Sequence, residues 1–188
     1  METNTLRAIA LHAFQGESTF ELDGVFYVGN EEETKAAFQE VNAAKIADGE
    51  IQCEDDYTFA EYCAEELSEV EEMDADDERD GYIVLTDEEA DKKAKEYILD
   101  SVWAFNASFL SGETGIDQEV FEAIQNNGRC ESNNRAILSM IDDEDAFVEA
   151  AIGADGRGHF ISFYNGNEHE QHVRGIEEEE TFYIYRIN

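Results

Sequence analysis

The alternation of apolar and polar positions divides the chain into short strands and amphipathic helices. TFELDGVFYVG, residues 19–29, is rich in aromatic and β-branched side chains and carries Asp23-Gly24 near its centre, which predicts a strand or a tight hairpin about those two residues. Asn30 follows, ahead of Ala36, Phe38, Val41 and Ala44 at helical spacing. This predicts a helix capped by Asn30, with Glu33 at the position that reaches back, closing at Gly49. Thr58 and Glu61 have capping-box spacing and open a second helix over DYTFAEYCAEELSEV, with Phe59, Tyr62, Cys63, Leu67 and Val70 as its apolar stripe. YIVL, residues 82–85, reads as a buried strand. Thr86 and Glu89 repeat the box at the start of TDEEADKKAKEYILDSVWAF, where Ala90, Ala94, Tyr97, Ile98, Val102 and Phe105 share a face. NASFLSGETG breaks that pattern. Residues 117–128, 131–141 and 143–153 predict three further helices. In the tail, HFISFYNGNEHEQHV and TFYIYRIN predict antiparallel strands, with a hairpin turn at Asn165-Gly166.

The expected class is α+β, several helices packed on a small antiparallel sheet with a C-terminal β-hairpin. An acidic part over residues 1–81 precedes a helical segment and hairpin over 82–188, and one continuous domain could contain both. With 188 residues, 42% of them apolar, and 21 aromatic side chains, the chain can bury a sizeable core. There is no proline and no internal repeat. No run of about 18 apolar residues predicts a membrane-spanning helix. METNTLRAIALHAFQGE makes a poor secretory signal, because its short apolar run is broken by His12 and lacks a cleavage site of small residues. Cys53, Cys63 and Cys130 are odd in number and lack CxxC spacing, which favours reduced thiols and a cytoplasmic location in a host cell.

Charge changes the picture most. The chain has 47 Asp and Glu against 12 Lys and Arg, a net of −35. Like charges about 4 Å apart repel by roughly 1–4 kcal/mol at effective dielectrics between water and a protein surface. Solubility requires a net charge of only about 2–8. The excess is polarised: residues 31–90 hold 23 acids and 3 bases. Within them, SEVEEMDADDERDG (68–81) places eight carboxylates and one arginine in fourteen positions. Glu61, Glu65, Glu66, Glu69 and Glu72 fit helical i, i+3, i+4 and i+7 spacing, which sets neighbours about 5–6 Å apart. Phosphates follow one another along duplex DNA on a comparable scale. With Glu71, Asp74, Asp76, Asp77, Glu78 and Asp80 they form an expected partner-binding set of eleven, with Tyr57 and Tyr62 as aromatic contacts. Their expected role is phosphate imitation toward a basic, nucleic-acid-binding host protein whose nucleic-acid site they occlude. Direct binding of nucleic acid or of anionic lipid is disfavoured by the same charge. The sequence is compatible with a homodimer.

Two other classes compete. His159, His169 and His172 lie close in sequence, with H-x-x-H spacing in HEQH, and could serve a metal-binding module or metal-dependent enzyme with zinc as the best match. A polar hairpin bearing surface histidines explains them more simply. A halophilic protein would also be acidic and poor in lysine, but there the acids spread, whereas here they cluster. DADDERDG departs from a calcium-binding EF-hand loop, since its glycine is misplaced and Arg79 stands where that glycine belongs. ADGRGHF is neither a Walker loop nor GxGxxG, and GxSxG is absent, so no motif makes a case for an enzyme, a cofactor or a catalytic residue. LTDEEAD (85–91), WAFNASFL (103–110), DGRGHFISFYNG (155–166) and FYIYRIN (182–188) resemble small uncharacterised proteins of bacteriophages and mobile elements. That resemblance carries no activity with it. In charge and size, the acidic N-terminal part is similar to phage DNA-mimic proteins of the anti-restriction and anti-CRISPR kind, which implies an inhibitor acting by protein–protein interaction.

Overall fold

In the computed structural model, residues 3–48, 59–127, 131–174 and 179–188 are described. Their contacts divide into one unit of residues 1–77 with 170–184, and another of 78–169 with 185–188. The class is α+β, with two small antiparallel sheets among the described residues.

The first unit opens on α1 (Thr3–Phe14), where Leu6 through Leu11 are all buried. A helix buried all round has no polar stripe, so periodicity does not announce it. The strands β1 (Thr19–Leu22) and β2 (Val25–Val28) pair antiparallel, Thr19 opposite Val28 and Leu22 opposite Val25. Asp23 (φ 53°) and Gly24 (φ 84°) both take the left-handed conformation that a two-residue hairpin turn requires. Next comes α2 (Glu31–Asp48), whose first turn is capped as expected: Asn30 Oδ1 accepts from the N–H groups of Glu32 (3.0 Å) and Glu33 (3.1 Å). The helix α3 (Phe59–Glu66) packs Cys63 against Phe20 and Tyr27, with Leu22, Val25, Phe59 and Leu67 around them. Its expected cap Thr58 lies outside the described residues, as do Tyr57, Gly49, Cys53 and Cys130. It stops four residues short of the expected end at Val70.

The second unit contains β3 (Tyr82–Leu85), α4 (Asp87–Asp100), α5 (Ala107–Thr114), α6 (Gln118–Gln125), α7 (Asn134–Leu138), α8 (Glu144–Asp155) and α9 (Arg157–Ile161). The tail strands are β4 (Glu168–Arg174) and β5 (Glu179–Arg186), most of whose residues belong to the first unit. Both halves of the Thr86–Glu89 capping box form at α4. NASFLSGETG, expected to interrupt helix, becomes α5, with Leu110 buried and Gly115 (φ 71°) as its left-handed cap. Side-chain amides join the elements that follow α4. Asn134 Nδ2 donates to Leu99 O (2.7 Å), and Gln125 Nε2 donates to Trp103 O and Phe105 O.

The Asn165-Gly166 hairpin is corrected. HFI belongs to α9, and Asn165-Gly166 turns the chain from that helix into β4. Gly158 explains the choice. A Cβ there would lie 2.4 Å from Gly166 O and 2.8 Å from Glu168 N, so only glycine lets the turn fold back onto the helix. The hairpin of the tail is β4–β5.

Candidate functional site

Residues 67–77 leave α3 as an irregular strap that touches β2 through one isolated bridge. Ser68 O accepts from Val28 N–H (2.9 Å), Val70 N–H donates to Phe26 O (2.7 Å), and Glu69 forms an antiparallel bridge with Tyr27. The strap thus lies beside β2 as a partial third strand. Further along, Met73 N–H donates to Asn4 O (3.2 Å), and Arg7 Nη1 donates to Met73 O (3.0 Å). Val70 and Met73 turn inward, the latter fully buried, while Glu69, Glu71, Glu72 and Asp74 are exposed. Arg7 is itself buried in α1, with Nη1 also donating to Asn4 Oδ1 at 2.8 Å. Asn4 Nδ2 donates to the Asp74 carboxylate and Thr5 Oγ1 to Glu72 Oε1 (3.3 Å). Asp77 Oδ2 accepts from Asp74 N–H at 2.8 Å, and Asp77 N–H donates to Asp74 O, a local turn that fixes the end of the strap.

This geometry corrects one expectation and keeps another. Glu69 and Glu72 do not continue the helical row of Glu61, Glu65 and Glu66, because the helix ends at Glu66 and the strap pairs with β2 instead. Two buried side chains and a set of non-local backbone hydrogen bonds outweigh the helical spacing of the acids. Within the first unit, Glu61 lies in the first turn of α3, Glu65 and Glu66 at its end, and Glu69, Glu71, Glu72, Asp74, Asp76 and Asp77 on the strap. All nine are exposed. Tyr62 is half-buried and packs on Phe38, with ring centroids 5.6 Å apart.

In the second unit, Glu78 and Asp80 are exposed as well. Glu78 accepts from Asn188 Nδ2. Asp80 (φ 54°) and Gly81 (φ 83°) form a tight turn closed by reciprocal 2.9 Å hydrogen bonds between Arg79 and Tyr82. DADDERDG therefore ends in a hairpin-type turn, with its one arginine at the turn's edge.

Burial raises the pKa of Tyr27, reinforced by the charge of Glu69 beside it, then by Cys63 and Asp23. Burial likewise raises the Cys63 thiol above its ordinary value. Of the strap's charges, Glu69 thus adds to the effect of burial at Tyr27.

The histidines do not assemble. His159 lies on α9, edge-on to Phe160 with centroids 5.0 Å apart. His169 and His172 are three apart on β4, which sends them to opposite faces of the strand. His172 contacts Thr181 Oγ1 at 3.0 Å and Glu170 at 3.4 Å. Among the described residues no group of three or more His, Cys, Asp or Glu side chains could hold a metal ion. Among them, too, no helix is long and apolar enough to cross a membrane. No family model, curated protein or solved structure matches the chain.

Proposed function

We propose that the protein is a nucleic-acid-mimicking inhibitor: it presents the strap and the end of α3 to a basic nucleic-acid-binding host protein and occupies the site where phosphates would lie. The observation that carries this reading is the anchoring of the strap. Its carboxylates are exposed, yet the backbone beneath them is tied to β2 and α1 and pinned by Val70 and Met73. Anionic groups on an ordered backbone are presented without the ordering cost that a disordered acidic tail would meet on binding. Composition supports the same reading. The first unit holds 27 Asp and Glu against four Lys and Arg, so its own cations can neutralise only a small fraction of them. Such a surface attracts a cationic cleft, steers it at long range, and releases the partner's bound anions on contact. A host defence protein of the restriction or CRISPR type is the class of target that fits the resemblance in charge and size.

The test is capture from bacterial lysate followed by competition. The expected catch is a nucleic-acid-binding protein that duplex DNA or RNA displaces and that elutes as salt rises. Replacing Glu69, Glu71 and Glu72 with glutamine should weaken capture by at least tenfold while leaving the fold intact, since three surface charge contacts at about 0.5–1 kcal/mol each supply that much. A captured protein that keeps its nucleic acid while bound would sink the proposal, as would capture indifferent to salt and to the triple substitution.

A further inference from the structure

The second unit contains a cleft that acid mimicry does not use. It has a volume of about 540 Å³ and is lined by the rings of Tyr97, Phe105, Phe109 and Phe160, with Asp155 and His159 among its polar groups. The rings come from α4, the turn after it, α5 and α9, and they support one another. Phe105 stacks on Phe160 with centroids 6.1 Å apart, Phe105 and Phe109 are 5.5 Å apart, and Tyr97 stands 6.3 Å from Phe160. Phe147 braces Phe105 and Phe109 from behind, at 5.6 and 5.5 Å. The aromatic surface continues past the cleft. Tyr97 is 42% exposed and lies 5.9 Å from Phe163, itself 67% exposed.

We infer that this cleft binds an organic cation, a quaternary ammonium or guanidinium group. Three features of the cleft select that chemistry. Several rings converge on one space, and ring faces attract cations through their quadrupole, most strongly where water is excluded. A carboxylate, Asp155, stands at the cleft to meet the charge, and among the described residues neither lysine nor arginine lines it. The unit around it carries 20 acids against eight bases, so its field concentrates cations and repels anions. An uncharged apolar ligand would gain from the rings but nothing from Asp155 or the field. The inference is independent of the proposed inhibitor function, because the strap contributes no residue to the cleft.

The cation can come from a free amine or from a side chain of another protein, and the test separates the two. Choline, N-acetylarginine methylamide and 3,3-dimethylbutanol, the uncharged isostere of choline, are titrated into the full chain at physiological salt and followed by NMR. Saturable shifts confined to Tyr97, Phe105, Phe109, Asp155, His159 and Phe160 are expected for the two cations, with the alcohol at least tenfold weaker. Tighter choline binding identifies a free amine as the ligand class, and tighter arginine-amide binding identifies a protein side chain. Tyr97→Leu and Asp155→Asn should each weaken the cations severalfold, whereas Tyr97→Phe, which keeps the ring, should retain them. Both positions are exposed enough for the variants to fold. The inference is overturned if the alcohol binds as well as choline, or if shifts fail to saturate and spread over the acidic surface.

Discussion

The two units are of nearly equal length and both are acidic, but they hold their charge in different ways. The first has 27 acids and four Lys or Arg; the second has 20 and eight. In the second unit a cation organises its acids. Arg157, its side chain only 11% exposed, meets Asp87 at 2.6 Å, Asp91 at 2.9 Å and Glu168 at 3.0 Å. Glu168 also accepts from the Tyr185 hydroxyl, and Lys95 pairs with Asp145. Burial works against the charge of Arg157, but hydrogen bonds to Glu168, Asp87 and Asp91 outweigh it and hold the guanidinium above its ordinary pKa. The ion pairs of Arg157 join α4, α9 and β4, and that of Lys95 joins α4 to α8. In the first unit cations are fewer, and the acidic strap is held by apolar anchors, backbone hydrogen bonds and the buried Arg7, which donates to Met73 O. Charge in one unit helps to build the fold, whereas in the other it is carried by a fold that other forces build.

Substitutions on each side can break this contrast. The largest effect is expected from Met73→Ala, which empties a fully buried site under the strap and should cost about 3 kcal/mol in urea denaturation. Capture of a basic partner should weaken with it, because the carboxylates lose their fixed backbone. Unchanged capture would show that the anchoring is irrelevant to binding. Arg157→Leu should cost somewhat less, about 2 kcal/mol, since it leaves Asp87, Asp91 and Glu168 facing one another but with two of the three largely in water. Partner capture should be untouched. Arg157→Lys should recover little of the loss, because an ammonium cannot fork to several carboxylates as guanidinium does. If Met73→Ala were silent and Arg157→Leu abolished capture, the roles given to the two units would be reversed.

Most signals set by a few neighbouring residues form as expected, the Asn165-Gly166 hairpin and the break at NASFLSGETG excepted, whereas contacts between distant segments leave no such mark. The Asp23-Gly24 hairpin, the Asn30 cap, the YIVL strand and the Thr86–Glu89 capping box all form, since each is specified within a few neighbouring residues. The helices α1 and α5 were invisible to periodicity, one because it is buried all round and the other because serine and glycine interrupt its pattern. HFI is helical and not strand, because the close approach of Gly166 to Gly158 folds the turn back onto the helix, which alternation alone does not encode. At the candidate site, exposure of the eleven acids was legible, as charge stays in water. Their scaffold was not. Val70 and Met73 are three apart, which suits a helix, and only the hydrogen bonds to Phe26 and Asn4 turn that stretch into a strap.

The smallest effect offers the most direct check on where the strap lies. The thiol of Cys63 and the phenol of Tyr27 ordinarily ionise near 9.0 and 10.0, and in the fold both are raised, chiefly by burial. Below those values folded and unfolded chains hold the same protons. Above them the unfolded chain releases protons that the folded one keeps, so stability is fully present up to about pH 9 and falls as pH rises further. Tyr27→Phe should flatten the upper part of that fall. Glu69→Gln should do something subtler. It leaves Tyr27 buried but removes the neighbouring charge that opposes phenolate formation, so Tyr27 should ionise at lower pH than in the unaltered chain. Tyrosinate absorbance, differenced against Tyr27→Phe to isolate one ring among eight, reads the change. Glu71→Gln, at an exposed position two residues further on, is the control and should move Tyr27 less. Equal shifts in the two variants would mean that Glu69 is not held beside Tyr27, and the pairing of the strap with β2 would fail with it.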